Sequence, residues 1–420
     1  MASLALALLG ALALLSLGDL RAAPWPGVGL LLLWGGSVAA LRAPRGGPGA
    51  VLLAALALRG LLLWGENGLS DDVHRYVWEG RVVAMGESPF VHPPADPYWA
   101  ADFGADPQRM AVNHPAVPSV YPPLALWTWA LLSSIWADPL LFRALSAACD
   151  AGVAWALASI LAGRGRSLRG AWLYALMPLM AVESAGSGHL EPLALLPAAL
   201  AVRAVDRGGT GISWAALGAL VKLLPGVLFV SLARRSWPTA AAALALGLAL
   251  SWPFLVDGPA VAEGLGTYAQ RWSFNGALFP LLQAALELIG QGTLARPVAV
   301  GLGAGVCAWA LAERRDPAAL WLWVGGAFVL LSPTVHPWYL GWAWAPALLL
   351  GVRPWTTAAA LIPLSYVVLA TLDPVTGAWT ERRWPALLIW GGLLLHTLAW
   401  GWGRLRAPAR LGPAPARAAP

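Results

Sequence analysis

Residues 139–161 read PLLFRALSAACDAGVAWALASIL, an apolar run long enough to cross a hydrocarbon layer of about 30 Å as a helix. Working outward, comparable segments lie at 3–18, 26–41, 50–64, 122–137, 170–183, 188–203, 212–230 and 238–256. Further ones lie at 276–290, 295–312, 317–331, 335–350, 355–372 and 384–402. Several hold only about fifteen apolar residues, so half-helices and tilted pairs are expected among them and the pattern predicts about 11–15 spans. The expected fold is all-α, a polytopic transmembrane helical bundle forming one domain over 1–403. Residues 404–420, rich in Arg, Pro and Ala, read as a disordered tail.

Composition agrees with that class and removes others. Charged residues make up 11% of the 420, against roughly 25% in soluble domains, and hydrophobic residues 59%. A disordered chain needs the opposite balance, and a soluble enzyme could not cover so much apolar surface with so few charges. Lys222 is the only lysine, and the net charge of +6 comes from arginines spread over loops and ends. No basic stripe interleaved with aromatics points to nucleic acid. Cys149 and Cys307 sit in apolar stretches without a CxxC or a Cys/His cluster, which speaks against a zinc site or disulfide framework.

The start, Met1–Gly18, is apolar without a basic n-region and reads as a first membrane helix rather than a cleaved leader, although Ala22 and Ala23 before Pro24 resemble a cleavage site. Arginines in short loops orient the rest. Arg42 and Arg45 predict a cytoplasmic loop, so residues 65–121 emerge outside; Arg234 and Arg235 fit a cytoplasmic loop too. Strict alternation over all segments would put Arg164, Arg166 and Arg169 outside. At least one segment is therefore not a full crossing.

The long polar stretch 65–121 concentrates Glu66, Asp71, Asp72, Glu79, Glu87, Asp96, Asp102 and Asp106. Within it, Asp72–Met85 has helical spacing, with Val73, Tyr76, Val77 and Val83 on one side and Asp72, Arg75 and Glu79 on the other. Such a helix lies on a membrane surface with its acidic edge outward. Ser70 is the expected N-cap, and acids in the first turn suit the helix dipole, which is also the plain structural account of Asp71 and Asp72. Pro89, Pro93, Pro94, Pro97 and Pro107 forbid a long helix afterwards.

Four more polar clusters interrupt apolar sequence: Ser187–Pro192 with His189 and Glu191, Lys222–Pro225, Arg271–Gly276, and Ser332–Tyr339 with His336. Ionisable groups at membrane depth cost about 2.5–3.5 kcal/mol on insertion, so each is a functional candidate. Lys222 as a snorkelling side chain and His336 as an interfacial histidine are the structural alternatives. Arg59 and Asp150, each inside an apolar run, suggest a structural ion pair.

The string Ser70–Arg81 (SDDVHRYVWEGR) followed by Gly86-Glu87-Ser88-Pro89-Phe90 resembles the first extracytoplasmic loop of GT-C superfamily glycosyltransferases. It is most similar to bacterial mannosyltransferases that use polyprenyl-phosphate-linked sugar. Tyr121-Pro122-Pro123-Leu124, Lys222-Leu223-Leu224-Pro225 and Pro333–Leu340 resemble the same group, in its order. The resemblance implies a GT-C fold in a bacterial plasma membrane and a polyprenyl-phosphate sugar donor, mannose first. It also implies a lipid or glycan acceptor outside and an acidic catalytic base at the head of the loop helix. That role falls on Asp72, or on Asp71. His74 departs from the aromatic that many relatives carry, which bears on substrate preference.

The chemistry is consistent with those residues. A polyprenyl-phosphate sugar departs as a stable phosphate anion and needs no general acid; the acceptor hydroxyl needs a base, worth about 10²–10⁴ in rate. Cationic and hydrogen-bonding groups must meet the phosphate. Lys222 and His336 are the first choices, with His189, Glu191, Arg271, Tyr121 and Arg75 as further substrate-binding candidates, and Arg59 as another available cation. One displacement inverts the anomeric centre. No metal or other cofactor is required, although Asp71, Asp72 and Glu191 have the ligand chemistry for one. The competing classes are a transporter or flippase, a polysaccharide polymerase or ligase, and a scaffold. Convergence of Asp72, His189, Lys222 and His336 in one extracytoplasmic cavity separates the transferase from a transporter, whose polar residues would line a midplane path.

Overall fold

Proline sets the punctuation of this chain. Its fixed φ and missing N–H suit the first helical position, and Pro24, Pro48, Pro123, Pro139, Pro317 and Pro354 each open a helix. The computed structural model describes residues 2–22, 24–40, 42, 44–65, 68–373 and 378–406. It holds 21 α-helices and no strand among the described residues, only an isolated bridge between Phe274 and Thr334. The chain is an all-helical membrane bundle.

Every apolar segment of the sequence contains a helix, but several are broken. Among the described residues four helical segments are both long enough and apolar enough to span: Pro139–Gly163, Trp237–Leu255, Gly292–Ala312 and Pro354–Thr371. Shorter apolar helices include Ala2–Ser16, Pro48–Leu62, Pro123–Ile135, Ile212–Val221 and Pro317–Leu331. Pro139–Gly163 is central, packed against Pro48–Leu62 and Glu191–Asp206. Trp237–Leu255 and Gly292–Ala312 turn Leu244, Leu246, Leu248, Val300 and Leu302 outward, as lipid-facing helices do. The expected ion pair is present: Arg59 and Asp150 meet at 2.7 Å, fully buried, with Tyr174 and Ser184 also donating to Asp150.

The polarity of the bundle identifies the segment that does not cross. The Arg169 guanidinium donates to the Ala39 carbonyl, and Arg42 and Arg169 line one small cavity. Arg164 pairs with Asp206 and Asp316 at that same end. Helix Pro48–Leu62 leads away from it, and Arg143 near the start of Pro139–Gly163 donates to the Leu62 and Gly65 carbonyls at the far end. The central helix therefore returns the chain to the arginine end by itself. Helix Pro123–Ile135 begins and ends at the far end, packed along Asp72–Ala84.

Stretch 68–121 folds at that far end, while Glu66 lies outside the described residues. After helix Asp72–Ala84 come only a 3₁₀ turn, Pro97–Trp99, and two single-turn helices, Ala100–Phe103 and Pro107–Met110, as its prolines require. Asp96 and Asp106 cap two of these turns, and Trp78, Val82, Trp99, Phe103 and Val112 form a small separate core.

Three expectations need correction. Ser70 accepts from the Asp72 N–H at 3.3 Å, but the N-cap position is Asp71, whose side chain caps nothing. Arg75 and Glu79 do not form an exposed edge; both are buried and paired, because residues 113–119 of the loop fold over that side, with the Asn113, His114 and Val117 carbonyls on Arg75 and Ser119 on Glu79. The last helix, Arg383–Arg406, runs past the expected boundary at Arg404, and the rest of the expected disordered tail lies outside the described residues.

Candidate active site

The loop helix is fixed first. Gly80 lies so close to helix Pro123–Ile135 that a Cβ would sit 2.5 Å from the Trp129 carbonyl oxygen and from Ser133 Oγ. Tyr76 stacks on Trp129 at 4.4 Å and meets Tyr121 edge-on. Arg75 donates to the carbonyls of Asn113, His114 and Val117 as well as to Glu79. Burial pushes the Glu79 carboxyl up to about 7, outweighing the Arg75 and Ser119 contacts that favour its anion. His114 is held below the usual imidazole range by burial and by Arg75.

At the head of this helix the neighbouring acids differ. Asp71 is held by both outer nitrogens of Arg21. Asp72, a quarter exposed, accepts from Asn113 Nδ2 at 2.7 Å and lies 3.6 Å from His189 Nδ1.

His189 arrives by a break in the helical path. A π-helical turn, Val182–Gly186, precedes non-helical Ser187–Leu190, with Gly188 at φ +76°. A Cβ on Gly188 would press on Val73 and Arg143, so the break packs directly against the loop helix. Lys222 is brought in by a second break. The helix of the apolar segment 212–230 stops at Val221, since Pro225 lacks an N–H and disfavours a helical residue before it. Lys222 is extended, and its ammonium pairs with buried Glu191 and lies 4.5 Å from the Tyr339 ring centroid.

A third element comes from 332–340. The Phe274–Thr334 bridge ties this loop to 272–276, with Val335 N–H donating to the Phe274 carbonyl at 2.8 Å. Trp338 is stacked between two imidazoles, His189 at 3.5 Å and His336 at 4.5 Å. The Tyr339 hydroxyl bonds that of Tyr268.

Asp72, His189, Glu191, Lys222, His336 and Tyr121 are thus gathered at one end of the bundle. Arg75 lies nearby but is committed to Glu79 and backbone carbonyls. Arg271 is exposed at the end of helix Ala260–Arg271, and among the described residues no hydrogen bond or ion pair links it to the cluster. Arg59 is bound to Asp150 elsewhere. Among the described residues no three metal-ligating side chains converge, so Asp71, Asp72 and Glu191 do not form a cation cage.

Sequence reasoning missed Asn113, Glu183, Trp338, Tyr339 and Tyr366 as site residues. Glu183 had a signal, an acid within the apolar run 170–183, and Trp338 and Tyr339 stood in a quoted motif. Asn113 had none. Glu183 Oε2 lies 3.5 Å from His189 Nε2, and its other oxygen accepts from the Tyr366 hydroxyl.

No curated protein and no solved structure matches the chain. A family model does match residues 68–252, a span that contains Asp72, His189, Glu191 and Lys222 and stops before His336. That match supports mannosyl transfer between a sugar donor and an acceptor by a membrane-associated enzyme. The model is that of the MptA_B family, alpha-(1->6)-mannopyranosyltransferase, N-terminal domain, and residues 68–252 of this chain are similar to it.

Proposed function

We propose that the protein transfers mannose from a polyprenyl-phosphate donor to a lipid-linked or glycan acceptor on the extracytoplasmic side, with inversion, and that Asp72 is the general base. The observation that carries this reading is the difference in partners between two equally exposed acids: Asp71 is neutralised by Arg21, whereas Asp72 has Asn113 and His189 of the polar cluster beside it.

Asp72 removes the acceptor proton, the acceptor oxygen bonds to the anomeric carbon, and the bond to phosphate breaks with its electrons on the phosphate. The partly exposed ammonium of Lys222 receives that charge, exchanging part of its contact with Glu191 for the phosphate. Tyr339, in contact with Lys222, and His336, packed against Tyr339, supply hydrogen bonds to the phosphate in this reading, and Tyr121, packed on Tyr76, contributes from the loop side. The polyprenyl chain lies in the bilayer beside the apolar outer helices, which explains an enzyme embedded in lipid. The arginines at the opposite end of the bundle support a cytoplasmic assignment for that end and an outside assignment for the site.

The test uses purified full-length protein in detergent with a panel of polyprenyl-phosphate sugars, octyl α-mannoside as probe acceptor, and release of polyprenyl phosphate as readout. Mannose should be the preferred donor. Turnover with a nucleotide sugar and none with the lipid donors would sink the donor assignment.

A further inference from the structure

His189 is fully buried, and neither ring nitrogen has a hydrogen-bond partner. Unpartnered buried polar atoms are rare and cost about 1–3 kcal/mol each, so a ring with two calls for a reason. Its position suggests one. The imidazole lies between two carboxylates, with Nδ1 3.6 Å from Asp72 Oδ2 and Nε2 3.5 Å from Glu183 Oε2. Glu183 Oε2 is likewise unpartnered. Trp338 covers one face of the ring, and Ser146 Oγ donates to the His189 carbonyl, which fixes the backbone beneath it. Tyr366 fixes Glu183 from behind. Both separations exceed those of a formed hydrogen bond, but such contacts tighten in a reacting complex.

We infer that His189 is a positioning residue for the base, lying behind Asp72 to share the proton that Asp72 takes from the acceptor hydroxyl, with Glu183 and Tyr366 setting the ring's orientation. The inference rests on the reading of Asp72 as base. In the step, the acceptor O–H bond breaks and its proton moves to Asp72. The oxygen's electron pair forms the bond to the anomeric carbon, and the phosphate leaves with the pair from the broken C–O bond. The proton then lies between Asp72 and Nδ1, and the negative charge of the Asp72–His189–Glu183 chain falls by one. With the ring proton on Nε2, facing Glu183, Nδ1 carries a lone pair that accepts from protonated Asp72 and offers nothing to its anion, so this tautomer favours the state in which the proton has arrived. Release to water through the exposed part of Asp72 restores the start. The charged and titratable groups facing the ring are Asp72 from the loop helix, Glu183 from the π-helical turn, Lys222 from the break after Val221 and Glu191 from its own segment. His336 lies beyond Trp338, and Arg143 lies behind Gly188.

The test is steady-state kinetics of the full chain with polyprenyl-phosphate mannose and octyl α-mannoside across pH, on variants that stay monodisperse. His189→Asn is expected to lower kcat by about 10–100-fold and to leave the donor KM within about twofold. It should also move the acidic limb of the kcat profile about one unit to lower pH. Glu183→Gln should shift the limb the same way with a smaller loss. A His189→Asn enzyme with kcat within about twofold and an unmoved limb, or with its loss confined to KM, overturns the proposal. If His189→Asn does not fold, an unmoved limb in Glu183→Gln overturns it instead. An active Asp72→Asn would refute the base itself, a result distinct from an inactive Asp72→Asn beside an unaffected His189→Asn.

Discussion

Arg21 holds Asp71 through both outer guanidinium nitrogens, joining the turn before the second helix to the head of the loop helix. Adjacent residues on a helix point about 100° apart, so this ion pair removes one of two neighbouring acids from the site and leaves the other. Asp72→Asn should fold and lose activity by about 10² or more. Asp71→Asn should keep a substantial part of it. The reverse ranking in the mannosyl-transfer assay moves the base to Asp71, and two active variants refute the mechanism.

Lys222 reaches Glu191 and Tyr339 as a compact ammonium. The planar guanidinium of Lys222→Arg has a different size and fork geometry, so this substitution should cost at least about tenfold in kcat/KM for the lipid donor. His336→Ala should also raise the donor KM, by opening the stack on Trp338. Wild-type kinetics in both Lys222→Ala and His336→Ala would return these side chains to structural roles.

Glu79 gives a pH dependence of stability. Its carboxyl titrates near 7 when folded, against about 4.3 in an unfolded chain. Between those values the folded state binds the extra proton, so stability is greatest below about pH 4.5 and falls as pH rises through 7, by an amount on the order of a few kcal/mol from this group. Melting temperatures from pH 5 to 8 should show that fall, and Glu79→Gln should flatten it. An equal slope in the variant would assign the effect to other groups.

At Gly80 the obstacle to a side chain is the Trp129 carbonyl, which a neighbouring rotamer cannot relieve. Gly80→Ala should therefore destabilise by about 1–3 kcal/mol, although alanine is the better helix former. A variant that melts at or above wild type would mean that the two helices separate more easily than their packing implies.

Met110 is exposed in the loop stretch, and Arg235 lies in the loop before helix Trp237–Leu255. With Cys149 and Cys307 replaced, a Met110→Cys variant should react with an impermeant thiol reagent from outside intact cells, and Arg235→Cys only after permeabilisation. The opposite pattern would invert the bundle and place the site in the cytoplasm.

Sequence alone established the class, because apolar run length and low charge are properties of local segments and need no tertiary information. The loop helix followed from its spacing, and its start at Asp72 was legible to within a residue. His189, Lys222 and His336 stood out as candidates because an ionisable residue in apolar surroundings is conspicuous wherever the chain folds, and Asp72 because it heads the acidic side of the loop helix. What spacing could not reveal was which polar groups are already satisfied. Arg75 and Glu79 read as an outward edge, yet loop residues 113–119 bury them, since a helix face turns toward whatever element packs on it. Packing of helix Pro123–Ile135 along Asp72–Ala84 decided that this apolar segment does not cross the bundle. Asp71 and Asp72 were nearly equivalent in the sequence; the arrival of Arg21, fifty residues earlier in the chain, separates them. Asn113, Glu183 and Tyr366 join the site through long-range contacts. Hydrogen-bond partners far apart in sequence are chosen by the fold, and no local pattern encodes them.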